Sequence, residues 1–365
     1  MTKHLYVATR KGLFHIEKNN KNWEVQSVSF LGDPVTSFVF DPRDNNFYAA
    51  LNLGHFGVKL KRSKDMGKTW DEIASPAFTE HDATEDNPEK NNVEMIWCLE
   101  TAGHKDSKGT LWAGTISGGL FYSNDHGNSW ILNKPLWNLP ERKNWFGGGY
   151  DKPGIHSILV DPRNTDHIWI GISCGGVYET FDSGKNWTNT SKGMYAQYMP
   201  PERKYDGSIQ DPHRVVFCQA SPDYLWAQHH NGIFRSVDGA KNWIDCSEQA
   251  KPSSFGFTTV THPQNPDYAW FVPGIKDECR VPYNNQLVVT RTKDGGKNFE
   301  ILNKGLPSSQ SYDLIYRHAL NIDQTGNYLA MGSTTGNLWI TENGGDEWKS
   351  ISNHLPPINA VYWVN

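Results

Sequence analysis

Apolar and polar residues alternate in short runs along the whole 365-residue chain, and the runs are separated by Gly, Pro, Asn and Asp. A period of two with turn residues at each boundary is the pattern of half-buried strands. The runs fall into groups of four, which we term A to D. A strands read VTSFVFDP from Val35, VEMIWCLE from Val93, IHSILVDP from Ile155, HRVVFCQA from His213, GFTTVTHP from Gly256, RHALNIDQ from Arg317 and NAVYWVN from Asn359. B strands begin near His4, Asn46, Gly109, His167, Tyr224, Tyr268 and Asn327, so seven of each type are expected.

Each C strand runs into a phrase that ends in an aromatic, and a D strand follows it. The phrase is SKDMGKTW at 63–70, SNDHGNSW at 123–130, TFDSGKNW at 180–187, SVDGAKNW at 236–243, TKDGGKNF at 292–299 and TENGGDEW at 341–348; a degenerate copy ends at Trp23. Its spacing of 47 to 60 residues suits a four-stranded blade with loops. The chain starts with a B strand and ends with an A strand. The last A strand is therefore expected to pair beside the first B strand, closing one blade from both termini and leaving only short sheet edges.

The phrase S/T-x-D-x-G-x-x-W resembles the Asp box, or BNR repeat, found in bacterial proteins described as BNR-repeat glycosyl hydrolases and, more distantly, in sialidases and sortilin-type domains. The resemblance implies an all-β, seven-bladed β-propeller over residues 1–365 as a single domain. Locally the Asp accepts hydrogen bonds from turn amides, Gly takes a conformation other residues resist, and Trp packs between sheets. Ala240 and Asn343 depart from the phrase and are expected to keep the turn while weakening it. A device repeated from blade to blade serves the scaffold, so Asp65, Asp125, Asp182, Asp238 and Asp294 are not read as catalytic. The chain lacks the Arg-Ile-Pro motif of sialidases. Seven-bladed oligogalacturonate lyases, which bind a metal through histidines at the channel mouth, are similar in architecture and ligand type.

Composition narrows the reading further. Aromatics are 13%, with 15 Trp, 33 Gly and 20 Pro, too aromatic for disorder and too rich in turn formers for a helical bundle. A balance of 35 basic and 40 acidic residues leaves −5, without a footprint for nucleic acid or an anionic membrane. No apolar run reaches the length of a membrane helix and the chain enters a strand at once, so a cytoplasmic protein is expected. Cys98, Cys174, Cys218, Cys246 and Cys279 are odd in number and scattered, which argues for buried thiols over disulfides or a zinc site.

Chemistry is expected on the face opposite the repeated phrase, where D–A and B–C loops emerge around a channel mouth. Long D–A loops span 76–92, 134–154, 191–212 and 303–316, and a long B–C loop spans 273–286. Aligning the A strands places Glu94, His156, His213 and His318 at one level, and the B–C loop QHHNG adds His229 and His230. Glu94, His156, His213, His229 and His318 are the candidate catalytic residues. Arg10, His230, Trp145, Tyr195, Arg280 and Tyr283 are candidate substrate contacts, since rings stack on sugar C–H faces while polar groups bond hydroxyls. Three imidazoles and a carboxylate, His156, His213, His318 and Glu94, match the ligand set of one divalent ion such as Mn, Zn or Fe. The same groups without metal can act as general acid and base. The expected function is a carbohydrate-active enzyme of hydrolase or lyase type acting on a small molecule or glycan; the alternative is a non-catalytic protein- or glycan-binding propeller.

Overall fold

A computed structural model describes residues 3–82, 92–101 and 108–364. The chain divides into two compact units, one of residues 1–32, 192–205 and 212–365, the other of 33–191 and 206–211. No helix among the described residues is long and apolar enough to cross a membrane.

Among its described residues the first unit holds four antiparallel sheets. One of them joins the chain ends: Ile358–Val364 pairs with His4–Thr9, which pairs with Gly12–Asn19 and then Asn22–Ser29. The termini are thus zipped in the register Tyr6 opposite Tyr362 and Val7 opposite Val361. The next sheet runs Pro212–Cys218, Ser221–His229, Gly232–Ser236 and Ile244–Asp245. A third runs Gly256–Thr261, Ala269–Lys276, Val289–Thr292 and Glu300–Leu302, with Cys279–Pro282 as an extra strand on Ala269–Lys276. The fourth runs Leu320–Ile322, Leu329–Gly332, Leu338–Thr341 and Trp348–Ser352.

The second unit has a four-stranded sheet from Val35–Asp41 to Asp71–Ile73 and an eight-stranded one. The latter contains two groups of the expected four, starting at Met95–Thr101 and Gly154–Val160, bridged where Gly154 pairs with Ile116. Sequence reasoning expects separate sheets here. The physical reason for the join is the missing side chain, because a Cβ on Gly154 would lie 2.5 Å from the Trp97 ring and 2.6 Å from Ile116 Cδ1.

Tryptophan fills the layers between sheets. Trp169, Trp226 and Trp270, all on B strands, are among the largest fully buried side chains. Trp226 Nε1 donates to Pro266 O at 3.1 Å and Trp270 Nε1 to Gly344 O at 2.8 Å, so each ring is buried with its polar edge satisfied.

The repeated phrase builds one turn six times. Its first hydroxyl donates to the Asp two residues on and accepts from the amide four residues on, as in Ser63 to Asp65 Oδ1 (2.7 Å) and Gly67 N to Ser63 Oγ (2.8 Å). The carboxylate then accepts the amide four residues beyond itself, from Thr69, Ser129, Asn186, Asn242 and Asn298. Asn343 reproduces this with its amide oxygen, accepting Glu347 N at 3.0 Å. Ala240 sits in the left-handed region at φ 67° and is fully buried, and its N–H still reaches Ser236 Oγ. A left-handed alanine costs roughly 1–2 kcal/mol. Ala240→Gly should therefore raise stability by about 1 kcal/mol in chemical denaturation, and a loss of stability would show that the buried methyl matters more than the backbone.

The turn also makes an acid sensor. Hydrogen bonds from Thr69 and Asn186 hold the Asp65 and Asp182 carboxyls down to about 2, below the ordinary 3.8. A carboxyl depressed by folding contributes stability that is complete above its unfolded value and lost as pH falls through the folded one. The thermal midpoint should fall between pH 4 and 2, and a D65N/D182N variant should show a shallower fall. Identical slopes in variant and parent would contradict this.

Candidate functional site

Five A strands share a feature that no alternation pattern displays, a bulge near the start. In the second unit the register skips Thr36, Trp97 and His156, because Val35 is followed in pairing by Ser37, Ile96 by Cys98 and Ile155 by Ser157. In the first unit it skips His213, and it skips Phe257 with Thr258. A bulge re-aims the extra side chain out of the ladder. The level expected to carry Glu94 with the histidines therefore carries Trp97. Aligning by apolar residues misplaces Glu94 by three positions, since the strand begins only at Met95 and its bulged residue is Trp97.

Within each unit, side chains at or beside the bulge bond to the next A strand. Thr36 Oγ1 donates to Ile96 O at 2.9 Å, and Thr258 Oγ1 to Arg317 O at 2.8 Å. His213 does the same with its ring, 2.6 Å from Nδ1 to Gly256 O. A carbonyl only accepts, so Nδ1 carries a proton and donates it to Gly256 O.

Around His213 the first unit gathers a cluster of rings and cations. The imidazole lies flat on Phe257, with centroids 4.6 Å apart and planes at 15°. Phe255 presents an edge to His213, His230 and Phe257. His230 is 5.6 Å from His213 and 4.9 Å from Tyr198, ring to ring. The Arg280 and Arg317 guanidiniums stand 5.4 and 5.6 Å from the Phe257 centroid, and Tyr316 meets that ring edge-on at 5.0 Å. His213, Phe255 and Phe257 form a buried floor, His230 is half-buried, and Tyr198 is 40% exposed. Against the effect of burial, Asp277 and Tyr316 hold the Arg280 guanidinium above its ordinary value, so it stays charged.

The cluster brings together His213, His230 and Arg280 from the expected residues. The other candidates lie elsewhere. His229 is fully buried with Nδ1 accepting Asn231 N at 3.0 Å, and its ring meets Phe234 edge-on. His318 is buried beside Arg317, its carbonyl accepting Val361 N. Tyr195 Oη donates to Asp245 Oδ2 at 2.8 Å, Arg10 is exposed on the turn after His4–Thr9, and Tyr283 is 45% exposed just after Cys279–Pro282.

In the second unit, Glu94 is exposed and ion-paired with Lys152 at 2.9 Å. It borders a groove of about 700 Å³ with Asn52, Ser75 and Phe78. His156 is fully buried, with Nδ1 2.9 Å from Ser157 Oγ and its ring edge-on to Trp97. Trp145, from a loop expected to touch substrate, is 7% exposed and donates to Tyr178 Oη at 3.3 Å, inside an aliphatic cluster with Ile155 and Ile172. Residues 83–90 of the acidic stretch TEHDATEDNPEK at 79–90 lie outside the described residues.

Among the described residues, none of Glu94, His156 and His318 belongs to a group of three or more His, Cys, Asp or Glu side chains with ligand atoms within 4.8 Å of one another. Asp211, two residues before His213 in sequence, belongs to the second unit, where it accepts from Ser173 Oγ and Cys174 N. Phe255, Phe257 and Tyr316 escape sequence reasoning. Phe257 could have been found, since it occupies the His156 position in its own A strand, but a search confined to imidazoles and carboxylates passes over it.

No family model matches the chain. It is similar to the oligoxyloglucan-reducing end-specific xyloglucanase of Emericella nidulans, 29% identical over 336 residues that cover 90% of this chain and 35% of that protein. It is also similar to a probable enzyme of the same description from Neosartorya fischeri, 23% identical and covering 94% of this chain and 43% of the relative. The chain thus spans less than half the length of these curated relatives. The solved GH74 xyloglucanase of Xanthomonas campestris superposes with a TM-score of 0.65 at 14% identity, over 96% of this chain and 52% of that one. The fold is an all-β propeller. The cluster around His213 is carried by A strands, B–C connections and D–A connections of that propeller.

Proposed function

We propose that this chain is a carbohydrate-active propeller that takes oligosaccharides of the xyloglucan class at the cluster around His213, Tyr198, His230 and Arg280. We count seven blades, taking the eight-stranded sheet as two. The observation that carries the reading is the His213 ring, laid flat on Phe257 with Nδ1 committed to a backbone carbonyl and bordered by a second imidazole, a half-exposed tyrosine and a charged arginine. Aromatic faces accept the C–H faces of pyranose rings, while Tyr198 Oη, His230 and Arg280 supply hydrogen bonds to hydroxyls. The imidazole pair supplies the side-chain type most used for general acid–base chemistry. The similarity to xyloglucanases over nine-tenths of the chain supports the substrate class.

The test is incubation of the purified protein with xyloglucan oligosaccharides and mass analysis of the ends produced. Product pairs that together exceed the substrate by one water indicate hydrolysis, and a new reducing end matched by an unsaturated fragment with no water gained indicates elimination. Saturable binding without turnover would leave a glycan-binding propeller, and neither binding nor turnover would overturn the reading.

A further inference from the structure

A second group of ligand-bearing side chains lies in the first unit, on the sheet that joins the chain ends. His4 stands directly across from Glu17, and Tyr6 across from His15, so all four share one face of the hairpin His4–Thr9 and Gly12–Asn19. His4 Nδ1 is 3.1 Å from His15 Nε2 and 2.9 Å from Glu17 Oε1, and His15 Nε2 is 3.1 Å from that same oxygen. Three potential ligand atoms thus form a nearly equilateral triangle. Their side chains are 27%, 17% and 27% exposed, so the triangle opens to solvent on one side.

Hydrogen bonding alone cannot satisfy such a triangle. With Glu17 ionised its oxygen has only lone pairs, and each ring nitrogen carries at most one proton. If both imidazoles donate to Oε1, two N–H groups confront each other at 3.1 Å. If only one donates, the other ring's lone pair faces the carboxylate oxygen. Every arrangement leaves one repulsive edge. A cation above the triangle turns all three edges into favourable ligation.

The dimensions fit. An ion about 2.0–2.1 Å from N and O ligands spans ligand–ligand edges of about 2.9 Å at right angles and about 3.3 Å at the tetrahedral angle. The observed edges of 2.9 to 3.1 Å fall at the lower end of that interval. The ligand orientation is also fixed in advance: the His15 ring is stacked on Tyr6 with centroids 4.5 Å apart and planes at 5°, and the backbone register holds both strands.

We infer that His4, His15 and Glu17 form a binding site for one divalent transition-metal ion of the Zn²⁺ class, with its remaining positions open to water. Two imidazoles and a carboxylate suit Zn²⁺, Fe²⁺, Co²⁺ or Ni²⁺ and disfavour Ca²⁺ and Mg²⁺, which prefer all-oxygen ligands. The ion ties the N-terminal strand to its neighbour in the sheet that also holds the C-terminal strand. It binds the folded state selectively and so stabilises it. This site is independent of the glycan reading, which uses none of these residues.

The experiment is calorimetric titration of the chelator-treated full chain with Zn²⁺, with Co²⁺ absorption as a second reading. One equivalent of Zn²⁺ should bind and raise the thermal midpoint, and Co²⁺ should give ligand-field bands. His15→Ala and Glu17→Gln should each weaken Zn²⁺ at least a hundredfold, while His354→Ala, an exposed histidine elsewhere, should leave it unchanged. Far-ultraviolet spectra of the variants establish that they are folded. Binding that survives both substitutions, or no stoichiometric binding by the folded parent, would overturn the site.

Discussion

Turnover of xyloglucan oligosaccharides should fall by roughly 10²- to 10⁴-fold when His213 is replaced by Asn, the range associated with loss of one general acid–base group. Asn is the informative choice because its amide can take the place of Nδ1 and still donate to Gly256 O, the 2.6 Å bond that ties this A strand to the next. What it removes is Nε2 and with it the imidazole's capacity to act as acid or base. Both substitutions remove the ring from Phe257, but His213→Ala also orphans the Gly256 carbonyl and so mixes chemistry with folding to a greater extent. The expected signature is a large fall in kcat for the Asn variant at an unchanged thermal midpoint. An Asn variant with parental kcat would remove His213 from the chemistry and leave it as a strand tie.

The largest stability effect should come from Trp270→Ala, at about 3–5 kcal/mol. The indole is 1% exposed and lies in a cluster with Val289, Leu329 and Trp348, so its removal leaves a cavity lined by rigid strands. The substitution also leaves Gly344 O without the indole N–H, inside one of the repeated turns. The same carbonyl receives Arg291 Nη1 at 2.7 Å, which limits but does not abolish that loss. Since globular domains are stable by only about 5–15 kcal/mol, the variant should be close to unfolding at ambient temperature. Equilibrium denaturant titration measures it. A loss below 1 kcal/mol would show that the layer repacks around the gap.

Most of the scaffold is legible in the sequence because its signals are local. Alternation marks the strands, and S/T-x-D-x-G marks a turn whose hydrogen bonds all fall within six residues, as from Ser63 to Thr69. The pairing of the two chain ends follows from counting strand types, and His4–Thr9 does pair with Ile358–Val364. What is not legible depends on register. The apolar pattern of Met95–Thr101 is readable, but where that strand enters its sheet is not, and Trp97 stands in the place expected for Glu94. The His4, His15 and Glu17 triangle is equally invisible in the sequence, since only the cross-strand pairing of His4 with Glu17 assembles it. Loop aromatics mislead for another reason: a ring gains so much from burial that Trp145, in an insertion rich in polar residues, ends up beneath the loop against Tyr178. Arg280 is recognisable by charge, whereas Phe257, although it occupies the His156 position in its strand, carries no ionisable group to mark it and gains meaning only with His213 stacked upon it.

The central claim is that a glycan lies on the ring and imidazole cluster of the first unit. It is tested most directly by calorimetric titration of the intact chain with a xyloglucan heptasaccharide, beside the variants Tyr198→Ala and His230→Ala, whose side chains are partly exposed. The account expects saturable one-to-one binding by the parent, and affinity at least tenfold weaker in each variant at an unchanged thermal midpoint. Parental affinity in both variants, or no binding by the parent, would contradict it.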